Sequence, residues 1–112
     1  MSADCVIEVR AIVELFPGAR SGKTKGYSSG VRPNHYFDGE DFSSVGVVEF
    51  TAGDSLELGA VGEAKVRFIR SIDAKPIQVG TRWRICEGNR EVGTGQIVQL
   101  LACRKISGDD ER

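Results

Sequence analysis

The stretch RWRICEGNREVGTG, residues 82–95, has the pattern of two β-strands joined by a tight turn. Trp83 and Ile85 fall on one face of the first strand, because successive side chains of a strand point to opposite faces. Gly88 and Asn89 lie between the strands, and these two residue types readily adopt the positive φ angles that tight hairpin turns need. The sequence therefore predicts a β-hairpin with positive φ angles at both turn residues.

Other segments, working outward from this hairpin, also alternate between apolar and polar residues. From Cys5 to Phe16 the apolar residues share one face and the charged residues the other, which is typical of a half-buried strand. The β-branched residues of this run disfavour a helix, and Pro17 and Gly18 end it. We predict further strands at Asn34–Phe37, at Val45–Phe50, from Ala64 towards Ser71, at Arg82–Cys86 and at Glu91–Cys103.

These strands define the fold class. About six strands, fourteen glycines and no convincing helix indicate an all-β sandwich or a closed barrel. A closed barrel also removes the exposed edges at which strands of different molecules would pair. At 112 residues the chain has the length of one domain, which we assign to residues 1–106, and we expect residues 107–112 to form a charged, flexible tail.

Composition limits the possible functions. The formal net charge of −1 provides no global basic field for nucleic acid or membrane, so an RNA contact would need a local basic patch. No segment approaches the ~20 apolar residues of a membrane helix and the N-terminus does not resemble a signal peptide, so we expect a cytoplasmic protein with no membrane contact. Cys5, Cys86 and Cys103 are odd in number and widely spaced, which favours reduced core thiols over a disulfide framework or a zinc site.

The segment PGARSGKTKGYSSG, residues 17–30, is predicted to be a long exposed loop, because it combines glycine, serine and basic residues with almost no apolar content. Part of it, GARSGKT, resembles the phosphate-binding pattern GxxxxGK[ST]. Three residues separate its glycines instead of four, and the following KGYSSG does not favour the helix whose amides would hold a phosphate. We therefore expect an exposed basic loop and no nucleotide site.

Catalytic groups are scarce in this sequence. The single histidine, His35, lies in an aromatic segment without a nucleophile motif, and we expect it to be a strand residue. The acidic pairs Glu40–Asp41 and Asp109–Asp110 lie in polar sequence, where solvated charge is the usual explanation, and they lack the calcium-loop pattern. We therefore expect no enzymatic activity, no metal site and no cofactor.

Two motifs resemble a known family. GVRPNHYF at residues 30–37 is similar to GYRPQFYF, and residues 82–95 match RFAIREGGRTVGAG without a gap. Both patterns belong to domain 3, the C-terminal barrel domain, of elongation factor Tu. Residues 45–50 and 75–77 are similar to further segments of that domain, so the resemblance covers roughly residues 5–102. It implies a six-stranded antiparallel Greek-key β-barrel, and its motifs transfer fold better than function.

The resemblance also implies where a partner would bind. In elongation factor Tu this domain docks on the GTPase domain, touches the T-arm backbone of aminoacyl-tRNA and meets the nucleotide-exchange factor. Four residues of this chain match positions of that surface, while the family's RHTPF becomes KTKGY at residues 23–27, without the histidine. Basic residues of the same loops complete the set, which would form one phosphate-contacting patch if the loops converge. The candidate partner-binding or RNA-binding residues are Lys23, Lys25, Asn34, Lys75, Gly88 and Arg90.

The expected function follows from these observations. The 112 residues leave no room for a GTPase domain beside the barrel, so we do not expect GTP hydrolysis. We expect a stand-alone, non-enzymatic binding module that contacts a translation-related protein or tRNA. The alternatives are a decoy or immunity-type protein that intercepts a factor-directed toxin, and a homo-oligomeric scaffold with no RNA role. The partner and the oligomeric state stay open at this point.

Overall fold

Alternating apolar residues form β-strands throughout the computed structural model, which describes residues 4–40, 42–71 and 74–106. The elements are β1 (Asp4–Leu15), α1 (Gly18–Ser21), β2 (Tyr27–Ser28), β3 (Asn34–Phe37), β4 (Ser44–Phe50), β5 (Ser55–Leu56), β6 (Val61–Ser71), β7 (Arg82–Glu87) and β8 (Arg90–Ile106). The predicted tail at residues 107–112 lies outside the described residues, as do Asp41, Asp109 and Asp110 of the acidic pairs.

Six strands close into a barrel in the order β1-β6-β4-β3-β7-β8, and β8 pairs back with β1. Every neighbouring pair in this barrel is antiparallel. The consecutive barrel strands β3, β4 and β6 are neighbours, and β1 lies beside β6, which is the Greek-key order. The predicted six-stranded antiparallel Greek-key barrel is therefore confirmed, and its strands are those that the alternation predicts.

The barrel is filled by the inward-facing residues of its strands. Phe37, Phe68 and Trp83 form an aromatic cluster at its centre, with ring centroids 5.2 to 5.6 Å apart. The backbone of Gly95 lies directly under the Trp83 indole, and a Cβ atom at this position would overlap the ring. His35, also fully buried, contacts Phe68 edge to face at 5.1 Å. The prediction that His35 is a strand residue is confirmed.

The predicted hairpin is present, but its turn differs from the prediction in one respect. Glu87 pairs with Arg90 across a two-residue turn. Gly88 has a φ of 63°, whereas no non-glycine residue in the described ranges, Asn89 included, has a positive φ. Positive φ at the first turn residue alone corresponds to a type II′ turn, whose right-handed twist suits the flanking strands as well as a type I′ turn does.

The prediction of a long exposed loop at residues 17–30 is correct for most of its residues, but it is wrong where the segment forms a helix or strand or enters the core. The segment contains the one-turn helix α1, in which Ser21 is fully buried. It also contains β2, where Tyr27 is 4% exposed, pairs with Leu56 of β5 and joins the barrel core. A single buried aromatic residue anchors this otherwise polar segment, and strands of two residues are too short to show alternation.

A buried ion pair closes the end of the barrel away from the hairpin. The Arg70 guanidinium lies 2.7 Å from Glu40, and both side chains are less than 5% exposed. Arg70 also donates to Ser44 Oγ at 2.8 Å and to the carbonyl oxygen of Lys75 at 2.9 Å. The expectation that Glu40 is solvated is therefore wrong, because the polar loop after β3 folds over the barrel end and places this carboxylate beside a buried arginine.

Beyond the last pairs of β6 with β4 and of β8 with β7, the strands β6, β1 and β8 continue as a three-stranded sheet, here called the extension, which consists of residues 4–8, 70–71 and 100–106. β1 is its central strand, since Asp4 pairs with both Ser71 and Ile106. The extension makes the molecule elongated, with principal extents of 47, 28 and 26 Å.

The edge of β8 is open along the extension. Its last pair with β7 is Gln96 with Arg82, after which Ile97 exchanges backbone hydrogen bonds with Gly80 and Thr81. From Val98 onward, no strand in the described ranges pairs with β8 on the side away from β1. This open edge was not predicted, because the sequence pattern of β8 does not reveal where β7 ends beside it.

The three cysteines are free thiols. Cys86 is buried, Cys5 is half-buried and Cys103 is exposed. The prediction of core thiols is correct for Cys86 and wrong for Cys103, because β8 has already left the barrel at that position.

Candidate functional site

Part of the predicted patch converges at the barrel end that carries the β7–β8 turn, here called the hairpin end. Lys23 Nζ lies 2.8 Å from Glu87, the residue before the turn. Arg90, the residue after the turn, donates from Nη1 to the backbone oxygen of Ser21 at 3.2 Å. Lys25 is exposed in the same loop as Lys23. The loop and the hairpin thus bring Lys23, Lys25, Gly88 and Arg90 to one end of the barrel.

The charge of Lys23 is used inside the protein. Glu87 accepts hydrogen bonds from Lys23 and from the Tyr27 hydroxyl, at 2.8 and 2.7 Å. Burial alone would raise the pKa of Glu87, but these two hydrogen bonds outweigh it and hold that pKa below its ordinary value. Burial and the bond to Glu87 raise the pKa of Tyr27. Lys23 therefore ties the loop to the hairpin and is a weaker candidate for a phosphate contact than the sequence implies.

The backbone of the GARSGKT segment offers no phosphate cradle. The amides of residues 20–23 all donate to oxygen atoms of residues 17–21, at 2.8 to 3.3 Å. The helix α1 has only four residues, so it does not supply the row of free amides that a phosphate-binding helix terminus provides. The amides of this segment are therefore already hydrogen-bonded within the protein.

Asn34 lies on a different surface, here called the arginine face, formed by the outward side chains of β3, of β7 and of the segment before β3. Arg84 lies 5.5 Å from the ring centroid of Tyr36, and Thr94 and Gln96 of β8 are the uncharged neighbours of Arg84 and Arg82. A shallow pocket of about 210 Å³ connects this face to the hairpin turn. The members of the arginine face are Arg32, Asn34, Tyr36, Arg82 and Arg84.

The arginine face differs in charge from the face across the barrel. On that opposite surface, here called the charge-paired face, β1 and β6 place Arg10 3.1 Å from Glu63, while Lys65 and Arg67 lie 3.7 and 3.8 Å from Glu8. No ion pair within the described part of the chain involves an arginine of the arginine face. A protein of net charge −1 therefore carries a local group of arginines that form no ion pair with a described carboxylate.

Lys75 lies away from the hairpin end, and it lines a pocket with Arg82 of the arginine face. It belongs to the connection after β6 at the opposite end of the barrel, where its carbonyl oxygen accepts a hydrogen bond from Arg70. Its ammonium group lies beside Gly39, at 2.6 Å from where a Cβ atom of that residue would be. The expectation of a single converging patch is therefore wrong for Lys75, because the chain crosses the full length of β7 between Lys75 and the hairpin turn.

The alternation of β3 and β7 in the sequence already indicates the arginine face, although most of its residues are absent from the predicted candidates. Trp83 and Ile85 face inward, so Arg82 and Arg84 must face outward on the same strand. Likewise, Tyr36 alternates with the buried His35 and Phe37. Reading the outward positions of the aromatic strands, as well as the loops, would have found these residues.

The buried histidine has a structural environment rather than a catalytic one. The Trp83 indole, which can only donate, donates to His35 Nδ1 at 2.9 Å, so the ring proton is assigned to Nε2, which donates to the Gly46 carbonyl at 3.2 Å. Burial lowers the pKa of His35 to about 4, although the bond to Gly46 opposes this shift. Both ring nitrogens are thus occupied inside the core, and His35 is neutral at pH 7.

Within the described ranges, no three His, Cys, Asp or Glu side chains are grouped so that they could hold a metal ion. No helix in the same part of the chain has the length and apolar content needed to cross a membrane. A scan against protein-family models finds none that matches this chain.

Proposed function

We propose that this chain is a non-enzymatic binding module of the translation-factor type, and that it contacts tRNA through the arginine face. The observation that carries the proposal is the pair Arg82 and Arg84, which has no described ion-pair partner and in which Arg84 lies beside Tyr36. The resemblance to domain 3 of elongation factor Tu, whose barrel contacts the T-arm backbone, points in the same direction.

The chemistry of the arginine face suits an RNA backbone. Guanidinium groups bind phosphate with two parallel hydrogen bonds, and their charge displaces condensed counterions from the RNA. Tyr36 presents an aromatic ring on which a base or a ribose could pack, and Asn34 supplies both a donor and an acceptor for a 2′-hydroxyl. A convex sheet surface with this composition favours shape and backbone recognition over the reading of base edges.

The residues of the hairpin end have distinct roles in this proposal. The turn at Gly88 borders the arginine face, where a residue without a side chain allows close approach of a backbone, and Lys25 is exposed at the same end of the barrel. Lys23 and Arg90 hold the loop and the hairpin together through Glu87 and Ser21. Lys75 lies at the other end of the barrel, where it lines a pocket with Arg82.

Salt-dependent tRNA binding tests this proposal. We expect fluorescence anisotropy with labelled tRNA to show binding that weakens between about 50 and 200 mM salt. The double variant Arg82→Gln, Arg84→Gln should bind about tenfold more weakly at the lower salt concentration, with a salt dependence smaller by about one counterion per arginine.

The matched control is the double variant Arg10→Gln, Arg67→Gln, which makes the same change in net charge on the charge-paired face. It should bind tRNA within about twofold of the unchanged chain, because those arginines are already compensated by Glu63 and Glu8. Equal weakening by both double variants, or binding that does not depend on salt, would contradict a defined RNA face.

A further inference from the structure

The shallow pocket at the border of the arginine face has a volume of about 210 Å³. Tyr36, Arg84 and Cys86 line it from the paired strands β3 and β7, and Gly88 and Asn89 line it from the hairpin turn. Pockets for drug-sized ligands hold about 300 to 1,000 Å³. This pocket is smaller, so it suits a single small group that projects from a larger partner.

Cys86 forms an uncharged part of the pocket lining. It is 5% exposed, although it does not belong to the cluster of residues that fills the barrel. Burial raises the pKa of its thiol, while the nearby Arg84 opposes this shift. The thiol is therefore neutral at pH 7 and presents a soft, weakly polar surface to an incoming group.

Two planar side chains form the walls of the pocket. Tyr36 and Arg84 lie directly opposite each other in the pairing of β3 with β7, and the guanidinium carbon is 5.5 Å from the centroid of the tyrosine ring. Glu91 pairs with Cys86 in the register of β7 and β8, but no ion pair joins it to Arg84. Tyrosine rings and guanidinium planes are the surfaces on which unstacked bases of RNA pack.

The turn provides an open rim with a polar group. No atom lies within 4 Å of the place where a Cβ atom of Gly88 would be, so the entrance above the turn is unobstructed. Asn89 is exposed beside it. Its amide offers both a donor and an acceptor, and the edge of every base carries at least one matching group. A hydrogen bond to Asn89 therefore suits a base without selecting one kind of base.

Arg82 continues the outer surface of β7 from this pocket. It is two residues from Arg84, both are exposed, and their Cα atoms are about 7 Å apart along the strand. An RNA strand with one base in the pocket carries a phosphate group beside that base, which a guanidinium can bind. In a duplex the faces of the bases are hidden in the stack, so only an unpaired base can enter a pocket of this kind.

We infer that the pocket binds one unpaired nucleobase of an RNA, which packs against Tyr36 and Arg84 and forms a hydrogen bond with Asn89, while Arg82 contacts the adjoining phosphate. The inference rests on the proposed RNA contact of the arginine face, and it adds that the RNA is unpaired where it meets the hairpin turn. Stacking tolerates any sequence, because every base has an aromatic face. The pocket therefore recognises an unpaired position and not a particular base.

A bulged RNA hairpin tests the inference. The probe is a fluorescently labelled hairpin with one bulged adenosine, and its control is the same hairpin with an abasic ribose at the bulge, which has the same number of phosphates. Anisotropy should show that the adenosine strengthens binding about tenfold, as expected for one base that stacks on an aromatic side chain. The salt dependence of binding should be equal for the two hairpins, because their charges are equal.

Substitution of the aromatic wall provides the matched test in the protein. Tyr36→Leu should reduce the preference for the bulged adenosine over the abasic ribose to less than about twofold, because the ring is lost. Tyr36→Phe, which restores a ring, should show the preference again. Phe42→Leu makes the same kind of change at an exposed aromatic residue outside the pocket, and it should retain the tenfold preference.

Nuclear magnetic resonance locates the base. The side-chain amide of Asn89 and the backbone amide of Gly88 should shift on addition of the adenosine hairpin, and much less on addition of the abasic hairpin. Adenosine monophosphate tests whether the pocket is instead a site for a free nucleotide. We expect it to bind at least about tenfold more weakly than the bulged hairpin, because it lacks the neighbouring phosphates of an RNA strand.

Three outcomes would overturn the inference. They are equal affinity for the adenosine and abasic hairpins, a preference that survives Tyr36→Leu, and tighter binding of adenosine monophosphate than of the bulged hairpin. The last outcome would assign the pocket to a free nucleotide. Equal, salt-dependent binding of both hairpins would leave the proposed RNA contact in place, whereas the absence of binding to either hairpin would contradict that contact itself.

Discussion

The strands β1, β6 and β8 run through both the barrel and the extension, but their inward-facing residues are fully buried only in the barrel. In the barrel, Val9, Ala11 and Val13 of β1 are fully buried, because β3, β4 and β7 complete the ring around them. In the extension, Cys5 and Ile7 continue the same face of β1 and remain half-buried. The same alternation produces a core only where the sheet closes, and elsewhere it leaves apolar side chains partly exposed.

Polar groups also differ between the barrel and the extension. The barrel holds its polar side chains in internal pairs, His35 with Trp83 and Arg70 with Glu40. The open edge of β8 instead presents backbone groups that no strand in the described ranges pairs. We therefore expect substitutions in the barrel to change stability strongly, and substitutions in the extension to have little effect on stability.

The largest effect is expected for Trp83→Ala. Trp83 is 1% exposed and covers Gly95, so its removal leaves a large cavity beside Phe37 and Phe68. Truncation of a buried tryptophan costs about 3 to 5 kcal/mol, and the loss of the bond to His35 places this variant at about 5 kcal/mol. Urea unfolding followed by circular dichroism measures the change.

The comparison variant is Leu100→Ala in the extension. Leu100 is 46% exposed, so its truncation should cost less than about 1 kcal/mol. Similar losses for Trp83→Ala and Leu100→Ala would mean that the extension contributes to the cooperative core, and would remove the distinction between the two regions.

A somewhat smaller effect is expected for Glu40→Gln. The substitution preserves shape but leaves the Arg70 guanidinium buried without a counter-charge, which costs about 3 to 4 kcal/mol. Glu63→Gln, the matched change in the exposed pair with Arg10, should cost about 0 to 1 kcal/mol. Thermal unfolding of both variants checks the ratio. A Glu40→Gln loss as small as that of Glu63→Gln would show that water reaches Arg70.

Much of the fold could be predicted because it depends on local patterns. Alternation over long runs predicted β1, β6 and β8, and the glycine of the turn predicted the hairpin. The short strands β2 and β5 could not be predicted, since two residues contain no period. Glu40 was misjudged for a related reason, because its partner Arg70 is thirty residues away and no local pattern links them.

The candidate site could be predicted only in part. The hairpin end follows from loop composition and from the resemblance to elongation factor Tu, but the separation of Lys75 depends on where β7 runs through the barrel. The open edge of β8 depends on the relative lengths of β7 and β8 in space. Strand lengths can be read from the sequence approximately, whereas the position at which one strand stops beside another is a tertiary property.

The smallest and most specific effect is the pH dependence of the barrel through His35. In the unfolded chain His35 takes up a proton near pH 6.5, but in the barrel it does so only near pH 4. Between these values the unfolded state binds more protons, so the free energy of unfolding falls as the pH falls. The slope from this group is at most about 1.4 kcal/mol per pH unit, and the total is about 3 kcal/mol by pH 4.

His35→Gln isolates this contribution from those of the carboxylates. Glutamine can still accept a hydrogen bond from the Trp83 indole but does not titrate. Chemical denaturation between pH 7 and pH 4 should therefore show a shallower loss of stability in His35→Gln than in the unchanged chain, and the two curves should converge as the pH falls. Parallel curves would mean that His35 has the same pKa in the folded and the unfolded chain, as is expected of a side chain exposed to solvent.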